Sequence, residues 1–181
     1  MNRLIKFLHD ERGSASIEFV LVFPIVFTVF TASVESSMYM AKYVMFERSV
    51  DKVVRELRLG NYGSITHQAL KQKICEAGML TGSKSGCMNA MKIWMQPINT
   101  GTFAMGSTAK TCVDKASDIN TGDPPANEYA MGTDNDIMLV RICMKEWPMF
   151  PTSAISVKMP TDSNDGSVSM VVTSVFVNEP G

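Results

Sequence analysis

The sequence predicts an α+β protein in which a long N-terminal helix and a second helix pack on a small antiparallel sheet. Three observations predict it. The chain of 181 residues has an apolar run near its start, Phe19–Val34, that carries no charge. Beyond that run, apolar residues recur three and four positions apart, which is the period of one helix face. Residues 91–181 contain short stretches rich in valine, isoleucine and methionine between glycine, proline and asparagine, which is typical of strands joined by turns.

The apolar run is long enough to cross a membrane if the helix continues past it. Phe19–Val34 alone would rise about 24 Å, which is short of a hydrocarbon layer of about 30 Å. A helix from Phe19 to Ala41 has 23 residues and rises about 34 Å, which suffices. Glu35 would then lie near the outer interface, where water can hydrate it, and Tyr39 and Tyr43 would lie where aromatic side chains are enriched.

A secretory signal peptide is the alternative for this segment. Arg3, Lys6 and Arg12 would form its basic region, and small residues near its end would allow cleavage after Ser33. Two features argue against it. Glu18 interrupts the start of the apolar region, and no A-x-A sequence stands at its end.

All four cysteines follow the apolar run; they are Cys75, Cys87, Cys112 and Cys143. An even number beyond an export-type segment indicates two disulfides in an oxidising compartment. Three pairings are open. We favour Cys75–Cys87 with Cys112–Cys143, because the first pair closes a short loop rich in glycine and serine and the second joins a loop to a strand. Buried free thiols in a cytosolic protein are the alternative.

The cysteines also decide the orientation that we expect. Three Lys or Arg residues precede the apolar run and five follow it closely, so the basic residues alone favour a cytoplasmic C-terminal domain. Disulfides require the opposite orientation, with the N-terminus in the cytoplasm and the C-terminal domain outside. We give the cysteines more weight.

The first helix is predicted to continue beyond the membrane to about Leu59 and to stop at the turn Gly60–Gly63. One face of this extension is apolar and the other faces carry the charges. The apolar positions are Tyr43, Phe46, Val50, Val53 and Leu57. This stripe would pack on the protein's own domain or on neighbouring subunits.

A second helix is predicted from Ile65 to Ala77, with Ser64 or Thr66 as its N-cap and with Leu70, Ile74 and Ala77 turned inward. The stretch 81–86 that follows is rich in glycine and serine. We expect it to form a loop that the first disulfide closes.

Three strands are predicted, and the middle one has the strongest pattern. Their bounds are Met91–Ile98, Asp136–Trp147 and Ser167–Val177, with a further short edge strand over Ser153–Met159. In the last strand Val168, Met170 and Val172 alternate inward. A slip in the alternation would then turn Val175 and Val177 inward as well.

The sequence contains no constellation that predicts catalysis or a cofactor. The net charge is −1 with acids and bases intermixed, which does not suggest a nucleic-acid surface. No G-x-S-x-G, H-E-x-x-H or G-x-G-x-x-G pattern occurs, and two histidines leave little material for a general base. We therefore expect a protein that is not an enzyme. A periplasmic enzyme on a plain anchor would need a cleft lined by acids in the long excursion 99–135.

No metal site is expected either. Zinc is disfavoured because no C-x-x-C spacing exists and His9 and His67 are remote from the cysteines. Asp134 and Asp136 occur in turn-like sequence with Asn and Gly, as do the acids at 162 and 165. Turn formation is the simpler explanation for both pairs, and a weak calcium loop is the alternative.

The start of the apolar run is the most informative stretch of the chain. It reads Glu11-Arg12-Gly13-Ser14-Ala15-Ser16-Ile17-Glu18-Phe19, followed by Phe23-Pro24. A carboxylate inside a membrane segment costs about 2.5–3.5 kcal/mol on insertion scales, so the position of Glu18 requires a reason.

Two other stretches complete the pattern, Asp136–Cys143 with Trp147-Pro148 after it, and the ending Ser174–Pro180. Together the three stretches resemble the TadE branch of the TadE/TadF-type pseudopilins, which belong to tight-adherence (Flp, type IVc) pilus systems. The resemblance implies a pilin-like fold. It leaves residues 60–135 without a motif.

The resemblance implies proteolytic processing by a prepilin peptidase. The cut would fall between Gly13 and Ser14. Residues 1–13 would be the leader, 14–41 the transmembrane helix and 42–181 the extracytoplasmic domain.

Cleavage would also give Glu18 a counter-ion. The new α-amine of Ser14 on one subunit is the cation available to the Glu18 carboxylate of another, and this contact would set the axial register of assembly. A snorkelling acid on an ordinary membrane anchor is the alternative.

The function implied is that of a minor pseudopilin needed to assemble Flp pili for surface adhesion. The partners implied are the prepilin peptidase, a companion TadF-like pseudopilin, the major Flp pilin, the inner-membrane pilus platform and membrane lipid. The location implied is the bacterial inner membrane, with a periplasmic C-terminal domain. The alternative function is a secreted or membrane-anchored adhesin or binding domain released by signal peptidase.

Overall fold

The computed structural model describes residues 14–78, 83–102, 112, 128–150 and 166–179. In these ranges the chain forms three helices followed by three strands. The helices are α1 (Ser14–Arg58), α2 (His67–Ala77) and α3 (Lys84–Asn89), and the strands are β1 (Met91–Pro97), β2 (Ile137–Glu146) and β3 (Val168–Val177). The predicted α+β class, with helices packed on an antiparallel sheet, is confirmed.

The first helix, α1, is the longest element. It has 45 residues and is therefore about 68 Å long. It continues through Pro24, and the hydroxyl of Thr28 donates to the Pro24 carbonyl at 2.7 Å. It ends at Arg58, one residue before the predicted end. Gly60 follows with a φ of 70°, a conformation that glycine adopts without strain and that is common just past a helix end.

The two halves of α1 have different surroundings. Every side chain from residue 16 to residue 30 is exposed, whereas from Thr31 onward one face is covered by the domain. The covered face carries the predicted apolar stripe, with Tyr43 partly buried and Phe46, Val50, Val53 and Leu57 buried. The prediction that this stripe packs on the protein's own domain is confirmed.

The second helix, α2, begins two residues later than predicted. Thr66 is its N-cap, and the Thr66 hydroxyl accepts a hydrogen bond from the amide of Ala69 at 3.3 Å. Leu70 and Ile74 are completely buried and Ala77 packs against the core, as the sequence predicts.

The third helix, α3, was not predicted. The loop expected over 81–86 overlaps a helix that begins at Lys84, so that expectation is wrong for its last part. Ser83 explains the helix locally, because its hydroxyl accepts from the amide of Gly86 at 3.0 Å and thereby caps the first turn. Tertiary contacts complete the explanation, since Cys87 in α3 is buried and bonded to Cys75 in α2.

The sheet has the order β1-β2-β3 with both neighbours antiparallel. Met91 pairs with Met144 in the first ladder, and Ile137 pairs with Val177 in the second. Each strand end lies within one residue of its prediction. The face toward the helices holds the core, which on the strands consists of Met91, Ile93, Met95, Met138, Val140, Ile142, Met144, Met170, Val172 and Phe176.

The predicted slip in β3 does not occur. Phe176 is buried, whereas Val175 and Val177 are 54% and 45% exposed, so the inward and outward alternation runs unbroken to the end of the strand. A continuous register with β2 requires this, because side chains alternate between faces with a period of two. The edge strand predicted over Ser153–Met159 lies outside the described residues.

Candidate membrane anchor and its junction with the domain

The exposed half of α1 is apolar on all sides. Among the described residues, α1 is the one helix long and apolar enough to cross a membrane, and its mean hydropathy reaches 2.2. Phe19, Phe23 and Phe27 form a row along it, with ring centroids 5.2 and 5.7 Å apart. A helix that is apolar all round is normally covered by lipid or by other protein. These features are consistent with a single-pass membrane anchor.

The predicted processing site lies at the start of this half. Gly13 lies outside the described residues, and Ser14 is the first residue of α1. Glu18 lies one turn further along, is exposed, and forms no ion pair within the described part of the chain. The cleavage after Gly13 and the docking role of Glu18 stay predictions.

Glu35 joins the helix to the domain. Its carboxylate accepts hydrogen bonds from two successive backbone amides, Met149 at 2.9 Å and Phe150 at 2.8 Å. The side chain is only 5% exposed. The prediction that Glu35 is hydrated at the outer interface is therefore wrong: the loop after β2 covers it and supplies two donors. Hydrogen bonds to a charged group contribute about 1.5–3 kcal/mol each.

The loop after β2 approaches Glu35 because β2 runs alongside α1 in the opposite direction. Glu146, the last residue of β2, forms an ion pair with Lys42 of α1. Three residues beyond Glu146 the chain reaches Glu35, which is seven positions closer to the N-terminus of α1 than Lys42. The connection between β2 and β3 therefore leaves the sheet toward the exposed half of the helix.

The two tyrosines that follow Glu35 on α1 also contact the domain. Tyr39 and Tyr43 are partly buried against the core, and the Tyr43 hydroxyl donates to the carbonyl of Val171 at 3.4 Å. The domain thus contacts α1 on both sides of residue 41, the predicted end of the membrane span.

A small cleft lies between α1 and this loop, lined among others by Glu35, Lys42 and Trp147. Its volume is about 20 Å³, which is room for roughly one water molecule. The cleft is too small for an organic ligand. Two of the residues that line it, Lys42 and Glu146, form the ion pair between α1 and β2.

A second contact holds the other end of α1. Arg58, the last residue of the helix, donates from Nε to the Glu179 carboxylate at 2.8 Å, and its carbonyl accepts from the Glu179 amide at 3.1 Å. Glu179 directly follows Asn178, whose amide donates to the carbonyl of Asp136 at 3.0 Å. Asn178 and Glu179, directly after β3, thereby connect that strand to the start of β2 and to the end of α1.

Two disulfides join the cysteines in the pairs that the sequence favours. Cys75 is bonded to Cys87, with Cα atoms 6.0 Å apart, and Cys112 is bonded to Cys143, with Cα atoms 5.4 Å apart. Both separations lie in the normal range for disulfides. The first bond links α2 to α3, and the second joins Cys112 to the sheet face away from the helices.

One buried cation belongs to neither contact. Lys71 in α2 is 2% exposed. Burial, and secondarily the charge of Lys92, lowers the pKa of Lys71 from the ordinary value of 10.5 to about 8. Lys92 itself forms an ion pair with Glu128 at 3.2 Å.

The calcium alternative finds no support at Asp136. One oxygen of its carboxylate accepts from the amide and the hydroxyl of Thr133, at 2.7 and 2.9 Å. Asn135 between them has a φ of 67°, as in a tight turn. No group of three or more His, Cys, Asp or Glu side chains suited to a metal occurs within the described ranges.

Residues 13–55 match the family model for TadE-like proteins. This segment, 43 of the 181 residues, is similar to TadE-like proteins. The match includes Gly13, Ser14, Glu18 and Glu35, and it confirms the predicted resemblance for the N-terminal part of the chain. No curated protein and no solved structure matches the chain.

Sequence reasoning missed the two residues that clamp the TadE-like helix, Glu35 and Glu179. The signal for Glu35 was an acid within an otherwise apolar helical segment, eight residues before Tyr43, the first residue of the buried stripe. Its partners lie 114 and 115 residues away, and no local pattern points to them.

Proposed function

We propose that this protein is a minor pseudopilin of a tight-adherence (Flp) pilus system, processed by a prepilin peptidase and needed for pilus assembly and surface adhesion. The observation that carries the proposal is the exposed apolar half of α1 with a single acid, Glu18, near its start, within a TadE-like segment. The proposal assigns no enzymatic activity to the chain.

The exposed half of α1 suits both stages of such a function. Its apolar surface is contiguous and continues around the whole helix, and surfaces of this kind mark contacts with lipid or protein. In the membrane, lipid would cover it. During assembly the same surface would pack against the corresponding helices of the major Flp pilin and of a TadF-like companion on the inner-membrane platform.

Glu18 would determine the axial register of that packing. An unpaired carboxylate among apolar helices is strongly unfavourable, whereas one paired with a cation is tolerated. Cleavage after Gly13 would place a positive α-amine on Ser14. Two unit charges 4 Å apart attract by about 4 kcal/mol at an effective dielectric constant of 20, which is enough to favour one axial register over its neighbours.

The disulfides support a periplasmic domain. Bonds such as Cys75–Cys87 persist in oxidising compartments and are rare in the cytosol. With the domain outside the inner membrane, the segment before Gly13 would face the cytoplasm, where a membrane peptidase removes the leader of a prepilin.

The junction at Glu35 argues against release by signal peptidase. Cleavage after Ser33 would remove Thr31, which is buried, and would leave Glu35 in the first turn of a frayed helix end. The hydrogen bonds from Met149 and Phe150 therefore support a chain in which the helix continues on both sides of Glu35.

The test is a pair of substitutions in the native host. Glu18→Gln removes the charge and keeps the shape, and Glu47→Gln makes the same change at an exposed position further along α1. We expect Glu18→Gln to be trimmed normally and to remain in the membrane fraction, but to reduce piliation at least about tenfold, because the loss of 1.4 kcal/mol is already a factor of ten. Glu47→Gln should assemble pili normally. Normal piliation by the Glu18→Gln variant would contradict the proposal.

A further inference from the structure

We propose that Trp147 and Met149, on the loop after β2, form a second membrane contact by entering the interfacial layer of the bilayer that α1 crosses. The inference rests on the proposed membrane anchorage of α1 and goes beyond it, because it assigns a lipid-binding role to the domain itself.

The position of the loop along the helix is the first argument. A hydrocarbon layer of about 30 Å takes up about 20 helical residues, which from Phe19 extend to Met38. Glu35 lies within this span, and its carboxylate binds the amides of Met149 and Phe150. The loop is thereby held at the outer margin of the hydrocarbon layer.

The exposed length of α1 also places the loop at the outer margin of the hydrocarbon layer. Every side chain is exposed from Phe19, the first residue of the uncharged run, to Phe30, and these twelve residues rise about 18 Å. This is about 12 Å less than the layer to be crossed, and tilting the helix would increase the mismatch. The mismatch disappears if the rim of the domain around Thr31 and Glu35 sinks into the interface.

The exposed side chains of the loop have the chemistry that this layer selects. Trp147 is 47% exposed and Met149 is 53% exposed. Tryptophan has an apolar body and a polar N–H, and it is enriched at the level of the lipid headgroups. Pro148 between them has no amide hydrogen that would need a partner in a dry environment.

The polar groups behind these side chains are already satisfied. The amides of Met149 and Phe150 donate to Glu35, and the Glu35 charge is screened from outside by the loop that it binds. Backbone groups near the hydrocarbon layer must have partners within the protein, because lipid offers none. The junction therefore meets the condition for a loop that touches lipid.

Val177 is an exposed apolar residue that lies too far from the bilayer, measured along α1, to reach it. Val177 is 45% exposed and ends β3 beside Glu179, which is bound to Arg58. Arg58 lies 23 residues beyond Glu35, or about 35 Å along α1. Val177 is therefore out of reach of the same bilayer and serves as a matched control position.

The test measures tryptophan fluorescence of the full chain in vesicles of phosphatidylethanolamine and phosphatidylglycerol. The acyl chains are unbrominated, brominated near the headgroup, or brominated near the chain end. Trp94 is 4% exposed, so the difference between the wild type and Trp147→Phe isolates the emission of Trp147. We expect bromine near the headgroup to reduce this component at least about twofold, with a smaller reduction for bromine near the chain end.

A control variant carries the exposed tryptophan at position 177 instead of position 147. In the variant Trp147→Phe with Val177→Trp, the new tryptophan should be unaffected by brominated lipid and should be quenched by iodide in the buffer. The proposal is overturned if the Trp147 component is equally bright in all vesicles while the chain resists an alkaline wash. It is also overturned if Trp147 is protected from both lipid and iodide, since a protein surface would then cover it. Release of the chain by the wash would instead overturn the proposed anchorage, and the loop contact with it.

Discussion

The carboxylate of Glu35 accepts a hydrogen bond from the backbone amide of Met149 at 2.9 Å, and the two residues are 114 positions apart in the sequence. The contact lies near the point where α1 changes from a helix exposed on all sides to one that the domain covers on one face. Glu35 thus lies where the folded domain begins to cover α1.

The first prediction concerns Glu35 itself. Glu35→Gln retains one acceptor oxygen and places an amide group among buried donors, so one of the two backbone amides loses its partner. We expect the free energy of unfolding of the domain to fall by about 1.5–3 kcal/mol. Glu47→Gln, an equal change at an exposed site on the same helix, should alter it by less than about 0.5 kcal/mol. Denaturation in mild detergent, followed by circular dichroism, measures both; equal stabilities would show that the junction contributes nothing.

The second prediction concerns the pH dependence that Lys71 causes. Its pKa is about 8 in the folded protein and about 10.5 in the unfolded chain, so the unfolded chain binds more protons between these values. Stability contributed by this site therefore rises with pH from about 8 to 10.5, and below pH 8 the protonated lysine destabilises the fold by its full amount.

Lys71→Met removes that penalty while keeping the length of the side chain. The difference between the two pKa values corresponds to at most about 3–4 kcal/mol, and rearrangement of the protein around the charged ammonium reduces it, so we expect a gain of about 1–2 kcal/mol at pH 7. The gain should shrink as the pH approaches 10.5. Thermal unfolding at pH 7, 9 and 10.5 measures it, and a gain independent of pH would mean that packing rather than charge is responsible.

The third prediction separates the two disulfides. The bond Cys75–Cys87 spans 12 residues and Cys112–Cys143 spans 31. In the chain-entropy description these loops correspond to about 2.8 and 3.7 kcal/mol. Replacing each pair by serine should therefore destabilise the protein by several kcal/mol, and more for the second pair. Urea denaturation of the two double variants compares them; a larger loss for the Cys75–Cys87 pair would show that the junction of α2 and α3 depends on the bond for more than loop entropy.

The fourth prediction concerns the distal contact. Arg58 and Glu179 have 58% and 44% of their side-chain surfaces exposed. Exposed ion pairs contribute at most about 1 kcal/mol, so Glu179→Gln should cost far less than Glu35→Gln. A double-mutant cycle with Arg58→Gln gives the pair energy directly. A coupling above about 1 kcal/mol would mean that water screens this pair less than its exposure indicates.

Local patterns in the sequence predicted most of the elements correctly. The period of three and four along α1 predicted which face is covered, and alternation predicted three strands almost to the residue. These predictions succeed because burial of one face of a regular element leaves a periodic trace. The failure at the end of β3 has the same origin: Ser174 is a polar residue at an inward position, and the valines beside it suggested a slip that the pairing with Val140 excludes.

The features that escaped prediction depend on contacts distant in sequence. The partners of Glu35 come from the loop after β2, and the partner of Arg58 comes from the last residues of the chain. The helix at Lys84–Asn89 is only six residues long, too short to be stable alone, so its existence depends on the bond to α2. Such contacts leave no local trace.

The N-terminus of the mature protein tests the central claim most directly. Protein isolated from the membrane of its host should begin at Ser14 when its N-terminal residues are sequenced, and Gly13→Ala should leave the chain uncut. A mature chain that retains Met1, or one that begins near Val34, would contradict the account.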